Sequence, residues 1–194
     1  ARAVTPADIL DFWFGAPGSG EFGRPRKCWF EKKPAFDEEI RRRFLSALED
    51  AAAGRLDGWA AQPEGLLALI ILLDQFPRNL FRNDPRSFAT DSRALDLARQ
   101  AVKQGFDERP MPVQRVFAYL PYEHSEDLAM QDRSVALFAG LAEGREGFGA
   151  FLDYAEKHRA VIRRFGRFPH RNAVLGRAST PEEIAYLAQP GAGF

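Results

Sequence analysis

Residues 63–76 read PEGLLALIILLDQF, and the run of eight from Leu66 to Leu73 is apolar on every face. Such a segment has no side to offer to water, so neighbours must cover it all round. A membrane span needs roughly 20 apolar residues, and this run falls well short of that. It therefore predicts a protein core. Periodicity does not separate buried helix from buried strand in so short a run, but Leu and Ala dominate it and its flanks are helical in period, which predicts a helix.

The flanks carry helix punctuation. Thr5, Pro6 and Asp8 open a helix that Gly15 can close. Phe36, Ile40, Phe44 and Leu48 recur at helical spacing ahead of Gly54. Asp84 and Pro85 open a segment with Phe88, Leu95, Ala98 and Val102 on one face, ended by Gly105. Pro121 is expected to interrupt a short helix and to begin the next. Phe151, Tyr154, Ala155, His158, Ile162 and Phe165 share helical spacings before Gly166, and Thr180, Pro181 and Glu183 form a capping-box pattern. No stretch alternates with a period of two, and no hairpin signal stands between alternating strands. The reading is one all-α domain over residues 1–194, with roughly seven or eight helices joined by short turns.

Charge excludes several classes of function. Lys plus Arg and Asp plus Glu both count 27, so no global field draws the chain to nucleic acid or a membrane surface. The single cysteine, Cys28, rules out an intrachain disulfide and a cysteine-rich zinc site. With no secretory signal pattern at the N-terminus, the expected setting is a reducing cytoplasm. The glycine-rich loop Gly15–Gly23 lacks the Gly-Lys-Ser/Thr of a phosphate loop and reads as a connector.

The polar residues that helix formation leaves over are the functional candidates. Asp74 closes the apolar run, where a carboxylate near a helix C-terminus opposes the dipole and needs a partner; Arg78 is one turn away. A structural salt bridge and a site role are equally compatible with that pattern. Glu123, Glu126 and Asp127 suit a helix start. His124 and Ser125 are adjacent, which argues against a local Ser-His pair. The chain has three histidines, His124, His158 and His170, and only their convergence in space would make a metal site. Arg163 and Arg164 fit the last turn of a helix, but Arg167, His170 and Arg171 are left over, beside an Asn172 that can cap the next turn. Such a group suits a phosphate or carboxylate. The stretch FPHRN also echoes FPRN at residues 76–79, which raises the question of an internal repeat.

Taken together, DFWFG, KCWFEKKPAFDEEIRRRF, LIILLDQFPRNLFR, FATDSRALDLA, YLPYEHSEDLAMQ, YAEKHRAVIRRFGRFPHRNAVLGRASTPEE and YLAQPGAGF resemble a bacterial family catalogued as domain of unknown function nine hundred and twenty-four. The resemblance runs through nearly the whole chain in order. It implies an all-α stack of antiparallel helix pairs, a tetratricopeptide-like right-handed superhelix, and it carries no reaction with it. It also implies that Asp74–Asn79, His124–Glu126, His158 and Gly166–Asn172 are shared polar features, and it argues against a catalytic role for Cys28.

Two functions are expected to compete. In one, Asp74, Arg78, Asn79, His124, Glu126, His158, Arg167, His170, Arg171 and Asn172 line a pocket for a small anionic molecule or an acidic peptide end, with no cofactor. In the other, the helices are a protein-interaction scaffold and the same residues only lock turns together.

Overall fold

A computed structural model describes residues 2–194. Among them every regular element is helical: α1 (Pro6–Phe14), α2 (Pro34–Ala52), α3 (Pro63–Ile70), α4 (Phe76–Leu80), α5 (Asp91–Gln104), α6 (Pro112–Glu123), α7 (Leu128–Ala142), α8 (Gly149–Phe165), α9 (Asn172–Leu175) and α10 (Pro181–Leu187). A π-helical turn, Ile71–Gln75, joins α3 to α4 into one continuous run, so the ten segments make nine helices among the described residues. None is long and apolar enough to cross a membrane. The chain divides into two compact units, Ala1–Arg82 with Arg86–Pro121, and Asn83–Pro85 with Tyr122–Phe194.

In the first unit the apolar run sits where its composition requires. Leu66 to Leu73 are buried, α3 packs against α1 and α5, and α4 packs against α2. Gly65 lets α3 approach the preceding turn, because a Cβ there would collide with the Trp59 carbonyl oxygen. Aromatic rings fill the remaining core: Trp13 meets Phe117 edge-on at 5.5 Å, Trp29 meets Phe117 at 4.9 Å, and Phe44 stacks on Phe76 at 5.4 Å. The glycine-rich connector brings Arg26 and Trp29 back to the end of α1. There Arg26 donates to the carbonyls of Phe12 and Trp13, both at 2.8 Å, and the Trp29 indole donates to Trp13 at 2.7 Å. These donors replace the hydrogen bonds that a helix C-terminus lacks.

Pro121 does not interrupt its helix as expected, and Pro77 is tolerated in the same way. Neither Pro77 nor Pro121 stops its helix: Pro77 lies in the run that continues to Leu80, and Pro121 is inside α6. A proline cannot donate to the carbonyl four residues back, which for Pro77 is that of Leu73. The hydroxyl of Thr90 donates to that oxygen at 2.6 Å, while the turn widens so that the Phe76 N–H reaches the Ile71 carbonyl. The segment opened by Asp84 and Pro85 is another difference, since only a short 3-10 turn forms at Pro85–Ser87 and α5 begins at Asp91.

The second unit is built on α7 and α8, which pack along each other across a short turn. Gly166 ends α8 in the left-handed conformation, as its position predicts. Val161, Ile162 and Phe168 form a small core, against which Phe165 and Tyr186 pack. The capping box predicted at Thr180 forms, and Thr5, predicted as an N-cap, forms one as well with Asp8.

Thr90→Val removes the hydroxyl that donates to the Leu73 carbonyl while keeping the side-chain shape. We expect a loss of about 1–3 kcal/mol in denaturant unfolding, with Thr90→Ser close to wild type. Equal stability of the three proteins would show that the π turn satisfies that oxygen by other means.

Candidate functional site

The candidates of the first unit form a polar network around the π turn. Asp74 is fully buried and accepts from the Gln75 side chain at 2.7 Å. It does not end a helix, as its sequence position suggests, because the run continues through it. Arg78 lies 3.7 Å from the Asp74 carboxylate but directs its fork at Asp91, with two bonds of 2.7 and 2.8 Å. Burial works against the Arg78 charge, yet the carboxylates of Asp74 and Asp91 outweigh it and raise the guanidinium pKa. Asn79 donates to Asp37 at 2.9 Å, a carboxylate that Arg82 also holds at 2.8 Å. Asp91 and Asp37 were not singled out from the sequence. Both are first-turn acidic residues, and their role at a helix start conceals their role as Arg and Asn acceptors.

In the second unit, Glu126 ties distant segments together. It accepts from the Phe168 N–H at 2.6 Å and from Arg177 at 2.8 and 3.1 Å. Burial pushes this carboxyl up, but the Arg177 and Phe168 hydrogen bonds and the nearby Arg171 charge prevail and hold it below the usual range. Glu126 therefore belongs to a tertiary clamp, and Asp127 is the residue that caps α7, accepting from the Ala129 N–H at 2.8 Å. His124 and Ser125 lie between α6 and α7, so the helical geometry expected of them does not apply.

Arg167 and Glu183 form a second clamp, with bonds of 2.9 and 2.7 Å, and Arg167 also donates to the Ala178 carbonyl at 2.7 Å. The Arg167 hydrogen bonds, joined by the Thr180 N–H, lower the Glu183 pKa to about 2. Glu183 was legible only as a capping-box residue, and it serves both roles with the same carboxylate. Asn172 does not cap α9: it is the first residue of that helix, and its side chain accepts from Arg177 at 3.0 Å and donates to Ser179 at 3.1 Å.

Inside this frame the structure brings the three histidines together with Arg171. Arg171 is buried, donates to the His124 carbonyl at 2.9 Å and places its guanidinium 4.6 Å over the Phe168 ring. His158, on α8, sits edge-on to Phe168 at 5.5 Å, and Phe168 packs against His170 at 5.7 Å. No group of three His, Cys, Asp or Glu side chains among the described residues is arranged to hold a metal. The Nδ1 of His158 donates to the Tyr154 carbonyl at 2.7 Å and lies 3.7 Å from the buried Glu123 carboxylate. That bond places the ring proton on Nδ1 and the lone pair on Nε2. Burial drives the His158 pKa down to about 3; the Tyr154 carbonyl resists, while His124, His170 and Arg171 add to the fall. His158 is thus neutral at pH 7. Glu123, expected at a helix start, is instead the last residue of α6, and Gln131 was not singled out from the sequence: it is fully buried on α7 and donates to the carbonyls of Glu123 and Ser125, both at 2.7 Å.

A histidine whose folded pKa lies near 3 against 6.5 unfolded binds its proton only in the unfolded chain between those values. Its stabilisation is complete above pH 6.5 and is lost as pH falls toward 3, with a slope of up to about 1.4 kcal/mol per pH unit. Urea unfolding across this range should show that slope in wild type and its loss in His158→Phe. The lowered carboxyls Glu126 and Glu183 contribute stability above 4.5 that disappears at lower pH, so acid sensitivity below that value should survive in the variant. An unchanged slope between pH 6.5 and 4.5 in His158→Phe would contradict a buried neutral imidazole.

Comparison with known proteins matches these features to a family and to a solved structure. The family described as bacterial protein of unknown function (DUF924) matches residues 9–191. A protein of unknown function from Agrobacterium tumefaciens, ATU0120, has a solved structure similar to this one, with 44% sequence identity and a TM-score of 0.83 over 94% of this chain and 96% of that one. Among curated proteins none matches. The chain belongs to the DUF924 family of bacterial proteins.

Proposed function

We propose that the second unit binds a small anionic molecule, or the acidic end of a peptide, at the cluster of His124, His158, His170 and Arg171. The observation that carries this reading is the gathering of the segment of His124, of His158 and of His170 around the buried Arg171 and the Phe168 ring. A buried guanidinium with imidazoles beside it is a setting that favours a negatively charged partner. Glu126, Arg167 and Asn172 act as the frame of the site, since their polar groups hold Phe168, Glu183 and Ser179. Asp74, Arg78 and Asn79 contribute the polar network of the first unit.

The His158 tautomer narrows the ligand further. Its Nε2 takes no hydrogen bond from the described residues, and a neutral imidazole accepts there rather than donates. A matching ligand therefore combines a negative charge, for Arg171 and the other histidines, with an O–H or N–H group for His158. Hydrogen phosphate and a 2-hydroxy carboxylate have this combination; sulfate and acetate do not.

Calorimetric titration at neutral pH tests the proposal. Phosphate and lactate should bind the wild-type chain more tightly than sulfate and acetate, and His158→Phe should lose roughly tenfold in affinity for the first pair alone, as expected for one lost hydrogen bond of about 1.4 kcal/mol. Circular dichroism confirms that the variant keeps its helices. If no anion binds the folded wild-type protein at millimolar concentration, the proposal fails.

A further inference from the structure

Residues 189–194 follow α10 and return to the histidine cluster. The Phe194 ring stacks on the His158 imidazole with centroids 3.7 Å apart and planes 18° apart. Two further rings close the slot edge-on, Phe168 at 6.3 Å and His170 at 5.9 Å. Three aromatic side chains from α8 and from the turn after it thus surround a fourth ring that is itself half exposed, at 50%. Offset and edge-on contacts of this kind recognise a flat ring with little regard to what it is attached to.

The segment that delivers Phe194 is lightly held. Its backbone bonds are Gln189 N–H to the Tyr186 carbonyl at 3.1 Å, Ala192 N–H to the Gln189 carbonyl at 3.2 Å and Gly193 N–H to the Tyr186 hydroxyl at 3.3 Å, so beyond Gln189 only two hold it. Gly193 has φ +84°, and a Cβ there would lie 3.1 Å from His170 Cβ, so the backbone itself is pressed against that histidine. Few hydrogen bonds and one partly exposed ring place a segment at the low end of local stability, where opening is cheap. The ring nevertheless covers a face of His158, the buried imidazole at the centre of the cluster.

We infer that the slot holding the Phe194 ring is an aromatic subsite of the histidine cluster, that residues 189–194 are its intramolecular occupant, and that a ligand carrying a planar aromatic ring beside its anionic group takes the ring's place. This rests on the anion-binding reading above and deepens it. The aromatic part of the ligand stacks on His158 as Phe194 does, and its anionic part turns toward Arg171 and His170. An occupant that must leave first reduces apparent affinity by the fraction of time the slot is open. Removing the Phe194 ring removes that competition, while the slot walls stay in place.

The experiment compares full-length wild type and Phe194→Ala with three probes: inorganic phosphate, phenyl phosphate and benzyl alcohol. Affinity is read by calorimetry and ring placement by the NMR resonances of His158. Removal of Phe194 should shift the His158 ring protons by loss of its ring current. Phenyl phosphate should then bind the variant about tenfold more tightly than wild type, as for a slot occupied roughly nine-tenths of the time, and restore a ring-current shift at His158; inorganic phosphate should bind both proteins alike. If phosphate binds but phenyl phosphate shows no preference for the variant, the aromatic subsite is overturned and the anion site stands. If phosphate binds neither protein while benzyl alcohol binds Phe194→Ala with a shift at His158, the subsite stands and the anion reading falls. Binding of no probe to either protein overturns both.

Discussion

Every helix ends in carbonyl oxygens that no residue of the same helix can satisfy, and an all-helical chain with many short helices multiplies that demand. Side chains from elsewhere meet it here. Arg26 and Trp29 serve the end of α1, Arg41 reaches the Leu80 carbonyl at 2.8 Å, and Thr90 serves Leu73 in the middle of a run. Gln131 takes the carbonyls around the end of α6, and Arg171 takes that of His124. A neutral net charge with 27 basic residues makes sense on these terms, because many of the cations address backbone and carboxylate partners inside the fold. The histidine cluster is one product of the same demand, since the arginine that satisfies the His124 carbonyl is also the one buried beside Phe168 and near His158.

What could be read from residues alone divides along the same line. Helix starts and stops are local chemistry, so the Thr5 cap, the Thr180 capping box and the left-handed Gly105 and Gly166 were legible from a few neighbouring residues. The apolar run announced its burial by composition. The prolines misled because their cost is local but its compensation is not. Pro77 would end an isolated helix, yet a hydroxyl thirteen positions on and a widened turn absorb the lost bond within a buried run. The echo of FPRN and FPHRN is explained without duplication: the first lies inside a helix after a π turn, the second in a 3-10 turn after a glycine stop. Shared residues met different backbones.

The candidate site was legible as a set of leftover charges and not as a set of pairings. Arg78 had Asp74 one turn away as an obvious partner, but its planar fork is taken by Asp91, whose position is set by where α5 starts. The Glu126–Arg177 pair spans 51 residues, and Arg167–Glu183 spans 16 across a turn and a helix start. Such pairings depend on tertiary placement, which residue spacing does not encode. The histidines illustrate the converse. Their convergence was one arrangement among many at the sequence level, and it became specific only when the Glu126 clamp drew the segment before α7 onto Phe168.

Neutrality of His158 then constrains the chemistry of the cluster more strongly than its count of basic groups. An imidazolium would donate from both nitrogens and act as one more cation, whereas the ring fixed by the Tyr154 carbonyl is an acceptor at Nε2 and a flat, uncharged face for stacking. The face is the part that Phe194 uses, and the edge is the part that a ligand hydroxyl can use. Protonation would weaken the edge as an acceptor and disturb the buried neighbours together. The burial that keeps the proton away, together with the charges of His124, His170 and Arg171, is therefore what allows one side chain to present two different recognition surfaces.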